Sequence, residues 1–200
     1  MKNSIKIAAF FIGSFGTVLT AKAQDTAPAK TTSKSTMSTG IIYSIGADAG
    51  VTTGSFHDTH KWTMGGSLEA DIPVANQFYA TINAGYNNFF GKKNVFDSGV
   101  TAPDIRVIPV KAGLKFFPIN AFYLQAEAGA AFLTNKSTLG FERTATFIYA
   151  PQVGTQILLG GKSYLDAGVR FEGCTNFTKD EESSRGHFVA LRVAYAFASK

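Results

Sequence analysis

The chain has 200 residues, 45% of them hydrophobic and 16% charged, with a formal net charge of +5. That is the length of one domain, and its single cysteine, Cys174, has no partner for an internal disulfide. The positive balance does not argue for nucleic acid: Lys2, Lys6 and Lys22 lie in the first 23 residues with no acid beside them, and without them the charge is +2.

Those first residues read as a targeting segment. Lys2 and Lys6 make a basic start, Ile7 to Thr20 is apolar and uncharged, and Ala21-Lys22-Ala23 precedes Gln24. A basic start, a short apolar run and a small-x-small site describe a secretory signal peptide over residues 1–23. The run is shorter than the ~20 residues that a membrane-spanning helix needs. Residues 24–40 are rich in Thr, Ser, Lys and Ala without periodicity and read as a flexible leader. Residues 41–200 remain for the folded domain.

Eight stretches of that domain alternate apolar and polar residues. A strand turns successive side chains to opposite faces, so each stretch predicts a two-faced strand. The first runs from Ile41 to Thr52, with Tyr43, Ile45 and Val51 on one face and Ser44 and Asp48 on the other. The second, Trp62 to Ile72, sets Trp62, Met64 and Leu68 against Thr63, Glu69 and Asp71. The third, Phe78 to Asn88, shows Phe78, Ile82 and Tyr86. The fourth, Arg106 to Phe117, shows Ile108, Val110, Leu114 and Phe116, with Lys111 and Lys115 opposite. In the fifth, Phe122, Leu124 and Phe132 oppose Tyr123, Gln125 and Glu127. The sixth, Thr146 to Leu158, shows Phe147, Tyr149, Val153 and Ile157. The seventh, Tyr164 to Glu172, sets Leu165, Val169 and Phe171 against Asp166, Arg170 and Glu172. The eighth, His187 to Phe197, shows Leu191, Val193, Tyr195 and Phe197 against Arg192.

The polar faces are small, charged and glycine-rich, and the apolar faces end in aromatics. That is a barrel turned inside out, an eight-stranded antiparallel up-and-down transmembrane β-barrel, with strands near the ~9–11 residues that cross a bilayer at a tilt. The expected connections alternate: residues 73–77, 118–121 and 159–163 are short, and 53–61, 89–105, 135–145 and 173–186 are long. Short turns on the periplasmic side and long loops outside are the outer-membrane arrangement. Pro109 and Pro151 fall inside strands, where each removes a ladder donor, so a bulge or a bridging water is expected at each.

The candidate site is the interior. Asp48, Glu69, Asp71, Glu127, Asp166 and Glu172 share it with Lys111, Lys115, Arg170 and Arg192, and buried charges must pair. Lys111 is expected to face Glu127, with Arg170 and Arg192 competing for Glu69, Glu127 or Asp48. Trp62, Tyr86, Phe132, Phe147 and Phe171 are expected at the outer membrane edge, and Tyr43, Phe78, Phe116, Phe122, Tyr164, Tyr195 and Phe197 at the periplasmic edge.

Over residues 41–197 the chain resembles the small eight-stranded outer-membrane barrels, the family of OmpX and the transmembrane part of OmpA. It is most similar to the outer-membrane β-barrel-domain, or porin-family, proteins common in Bacteroidota. The carriers are Ile108 to Phe117, Phe122 to Ala131, Tyr149 to Gly154 and Leu191 to Phe197. The resemblance implies the bacterial outer membrane as the address. It implies outer-membrane lipid, lipopolysaccharide and the barrel-assembly machinery as partners, and a host or surface ligand at the loops. Family members end on an aromatic; here Ala198, Ser199 and Lys200 follow Phe197.

No cofactor or metal is expected, since His57 and His60 lack a third ligand. Those histidines with Asp97-Ser98 are similar to loop residues of the lipid A palmitoyltransferase, but its amphipathic leader helix is missing from residues 24–40. His187-Phe188-Val189 lacks the serine of the lipid A deacylase motif. The expectation is a non-enzymatic structural or adhesive surface barrel. Loop aromatics such as Phe56, Phe89, Phe90, Phe96, Phe141 and Phe177 are its contact residues. The alternatives are a narrow channel for small polar solutes and, far behind, a lipid A-modifying enzyme.

Overall fold

The structure is a computed structural model and describes residues 40–95, 99, 101–135, 144–175 and 186–199. The expected signal peptide, the leader through residue 39, Asp97-Ser98, Phe96, Phe141, Phe177 and Lys200 lie outside the described residues.

Eight strands form one closed barrel in chain order: β1 (Ile42–Thr53), β2 (His60–Ala75), β3 (Phe78–Gly91), β4 (Ile105–Ile119), β5 (Phe122–Leu133), β6 (Ala145–Gly160), β7 (Ser163–Cys174) and β8 (His187–Ala198). Each pairs antiparallel with the next. β8 closes on β1 through a ladder from Ile42 opposite Ala198 to Thr53 opposite His187. A one-turn helix, α1 (Phe56–Thr59), caps the first long connection.

Alternation places the apolar side chains outside. Ile45, Leu68, Leu114 and Leu191 are 57–63% exposed, and similar residues from every strand complete the band. Leaving one such side chain in water forgoes about 1.5–3 kcal/mol. A closed ring of them is stable only against lipid, which fixes the barrel as inside out.

The three short connections are tighter than the sequence suggests. Strands run through the expected turn residues, leaving only Asn76–Gln77, Asn120–Ala121 and Gly161–Lys162 as two-residue turns. Gln77 (φ 68) and Gly161 (φ 57) supply left-handed backbone at two of them. Register slips just before each turn, between Pro73 and Ala75, Phe116 and Ile119, and Leu158 and Gly160.

Bulges expected at Pro109 and Pro151 are not found. Register is the same on both sides of Pro109, from Ala84 opposite Val110 to Asn87 opposite Val107, with two pairs skipped between. The same holds around Pro151, between Gln152 opposite Arg170 and Tyr149 opposite Gly173. Each proline lacks a donor toward one neighbour only. Its other neighbour holds it in line, Ala131 opposite Pro109 and Ala126 opposite Pro151.

Candidate functional site

The interior is layered. At the short-turn end, Ile42, Tyr79, Phe117, Tyr123, Ala196 and Ala198 pack together with Tyr164 against them. At the long-loop end, Phe89, Ile105, Val107, Leu133, Ile148 and Phe188 form a second apolar cluster with two alanines, joined by Phe56 of α1 and by Cys174. Between the two lies a charged layer. The ten ionisable residues expected inside are all there, none more than 7% exposed.

Small residues make room for these long side chains. Across the ladders, Lys111 lies opposite Gly129, Glu127 opposite Gly113, Arg192 opposite Gly168 and Asp48 opposite Gly65. Eight strands leave an interior just wide enough for side chains to fill, so each large charged group needs a small residue beside it.

Lys115 is the hub. Its Nζ donates to Glu69 Oε1 and to Asp71 Oδ2, both at 2.7 Å, and stands 3.8 Å from Asp166 Oδ2. It also lies 4.8 Å from the centroid of the Tyr123 ring. Glu69 Oε2 accepts from Asn83 Nδ2 at 2.9 Å and Gln125 Nε2 at 3.1 Å. Lys111 donates to Glu172 at 2.6 Å and sits 3.7 Å from Glu127. The expected Lys111–Glu127 pair is thus the longer of two, and its main partner is on β7 across the barrel. Arg170 pairs with Asp48 at 3.5 Å. Arg192 reaches Asp166 at 3.3 Å and donates to Ser44 and Ser67. Neither arginine has an ion pair with Glu69 or Glu127.

Tyr123 ties this layer to the turn-end cluster. Its hydroxyl donates to Asp166 at 2.8 Å and accepts from Gln152. The ring fills a slot over Gly154 and Gly168, where added Cβ atoms would stand 2.4 and 2.7 Å from that hydroxyl. Tyr123→Phe should keep the packing, take one of two donors from the Asp166 oxygen and leave Gln152 Nε2 without its acceptor, costing about 1–3 kcal/mol. A urea titration of the refolded barrel reads this; no change in midpoint would remove Tyr123 from the network.

On the outer wall, Trp62, Phe122, Phe132, Tyr195 and Phe197 are exposed, and Phe116 stacks on Phe78 at 4.6 Å. Tyr164 is a correction. It shares the parity of Asp166 and packs inward against the turn-end cluster. At the loop end Trp62 stacks on Phe90 at 4.9 Å. Asp104 accepts from the Gly91 amide at 3.0 Å and from Asn88 Nδ2 at 3.2 Å. The Gly91 hydrogen bond holds the Asp104 carboxyl below the usual carboxylate range.

His57 directs Nδ1 at the Thr52 carbonyl, and His60 donates from Nε2 to the Pro103 carbonyl at 3.0 Å. Among the described residues no three or more His, Cys, Asp or Glu side chains are grouped to hold a metal.

The architecture defines a small transmembrane barrel of the eight-stranded kind. No family model matches the sequence, and no curated protein does. Solved structures do match in fold. Neisserial surface protein A aligns at a TM-score of 0.54 and 14% identity, covering 81% of this chain and 98% of that one. Ail, the attachment invasion locus protein of Yersinia pestis, aligns at 0.48 and 18% identity, covering 79% and 99%. The outer-membrane protein OprG from Pseudomonas aeruginosa aligns at 0.47 and 12%, covering 81% and 98%. The chain therefore resembles the small eight-stranded outer-membrane barrels in fold.

Proposed function

We propose that the protein is an exported outer-membrane surface barrel, structural or adhesive, that acts through its long-loop face and not as a conduit. One observation carries this reading: the charged layer is enclosed between two apolar clusters and is closed to solvent. A conducting barrel needs a wetted path, and here both ends of the polar layer are plugged. At the loop end Phe56, His60, Phe89 and Phe188 are in ring contact and close the plug; Phe89, expected as a loop contact residue, is buried there. The inside-out wall and the signal-peptide pattern of residues 1–23 support the exported address.

A narrow channel is the second reading. It draws on Lys115, which has three carboxylates within 4 Å and so a short path for exchanging partners. Conduction would still require one apolar cap to part.

Planar-bilayer recording of the refolded protein separates the two, with a heat-modifiable gel shift to show that it is folded. Folded wild type is expected to be silent. Stable conductance steps that change when Lys111 or Arg192 is neutralised would establish a gated pore and end the plugged-barrel reading.

A further inference from the structure

The charged layer does not balance. Six buried carboxylates face four buried cations, and no other charged side chain among the described residues is buried. The surplus is local. Asp48 pairs with Arg170, and Asp166 with Arg192 at 3.3 Å and with Lys115 at 3.8 Å. Glu69, Asp71, Glu127 and Glu172 share only Lys111 and Lys115. Two negative charges in a low-dielectric interior are left without a counter-charge, an arrangement that folding does not tolerate.

Hydrogen bonding points independently to the same half of the layer. Four buried oxygens there have no hydrogen-bond donor: Asp71 Oδ1, Glu127 Oε2, Asn83 Oδ1 and Gln125 Oε1. The orientation of both amides is set, because Asn83 Nδ2 and Gln125 Nε2 donate to the same Glu69 oxygen. Glu127 Oε1 already accepts from Thr81 at 3.2 Å, and Asp71 Oδ2 from Lys115. What remains is two carboxylate and two amide oxygens, all acceptors, and in the same layer one buried donor without a partner, Arg170 Nη2. Buried oxygen acceptors without donors are answered by a bound cation or by an added proton, which converts a carboxylate oxygen into a donor.

We propose that the Glu69–Asp71–Glu127 side of the interior is a buried site for two compensating positive charges. They are taken up on the Asp71 and Glu127 carboxylates as protons or as monovalent metal ions. The surrounding groups are Tyr79, Thr81 and Asn83 on β3, Lys111 and Lys115 on β4, Tyr123 and Gln125 on β5, Asp166, Arg170 and Glu172 on β7, Arg192 on β8 and Asp48 on β1. The four cations among them are already engaged with carboxylates. The occupied site locks the plug, so barrel stability is linked to pH or to sodium concentration.

The test uses the full barrel refolded in detergent. Infrared spectra of wild type at neutral pH look for a neutral-carboxyl band. Urea midpoints are measured with sodium and with choline at equal ionic strength. If the charges are protons, the band is present and weakens in both Glu127→Gln and Asp71→Asn, and the midpoint falls as pH rises. That sign follows because the folded state then binds more protons than the unfolded chain. If they are metal ions, the band is absent. The folding equilibrium constant then rises with sodium, by up to about tenfold per tenfold sodium for each ion bound. With metal ions each of Glu127→Gln and Asp71→Asn lessens the sodium dependence; with protons each keeps or raises the midpoint. Glu172→Gln, which strips the 2.6 Å partner of Lys111, lowers it. Should a variant fail to fold, the wild-type spectrum and the sodium series still decide. Absence of both the band and any specific sodium dependence overturns the proposal.

Discussion

Replacing Lys115 by methionine is expected to cost the barrel about 3–5 kcal/mol, among the largest losses of any single interior change. Methionine matches the stem in length and removes only the charge and its donors. Three carboxylates then lose their shared cation: Glu69 and Asp71 at 2.7 Å and Asp166 at 3.8 Å. Glu69 keeps its two amide donors, but Asp71 loses the one hydrogen bond to its Oδ2. Lys111→Met should cost less, since Glu172 is its one close partner. Urea titration of both variants against wild type reads the order directly. A Lys115→Met barrel within about 1 kcal/mol of wild type would show that the interior charges are not held by this hub.

Gly129→Val is expected to be comparably damaging, for a steric reason. A Cβ built at Gly129 stands 2.0 Å from the Val110 carbonyl oxygen and 2.8 Å from the Lys111 Cα. Gly113 meets the Ala126 carbonyl oxygen at the same distance, so β4 and β5 are drawn together over two glycines, one on each strand. Because the obstacle is backbone, no rotamer change relieves it. The wall must spread, and Lys111 shifts from Glu172. The expected loss is about 3 kcal/mol or more, the upper part of the range for overpacked interiors. Heat-modifiability on a gel and the urea midpoint report it together. A folded Gly129→Val barrel within about 0.5 kcal/mol of wild type would falsify the close-approach account.

Most of the wall was legible from parity alone. Ile45, Leu68, Leu114 and Leu191 fall on one side of their strands, and Asp48, Glu69, Lys115 and Arg192 on the other. No soluble core accommodates that division. The apolar caps were harder to see, for a specific reason. At Phe89–Phe90, Phe188–Val189 and Phe147–Ile148 both faces are apolar, so alternation carries no signal about which ring turns inward. Ion-pair choice was only half legible. Reading adjacent strands suggests Lys111 with Glu127, yet Glu172 comes from β7, three strands away, and depends on the tilt of the closed barrel. The glycine partners of the charged residues had a signal in the sequence: Gly113, Gly129 and Gly168 all sit on the polar parity. The slips before the three turns had none, because at most three residues of each strand lie beyond the slip, too few to show a change of alternation.

The two prolines divide the wall mechanically. Pro109 interrupts the β3–β4 seam and Pro151 the β6–β7 seam, whereas the β1–β8 closure runs unbroken. Under tension the cylinder would part along those two lines first. It would separate into a three-strand ribbon, β4 to β6, and a five-strand ribbon, β7 to β3, that carries both chain ends. The join that brings the first and last strands together, and looks from the sequence like the weak point of any barrel, would be among the last to tear.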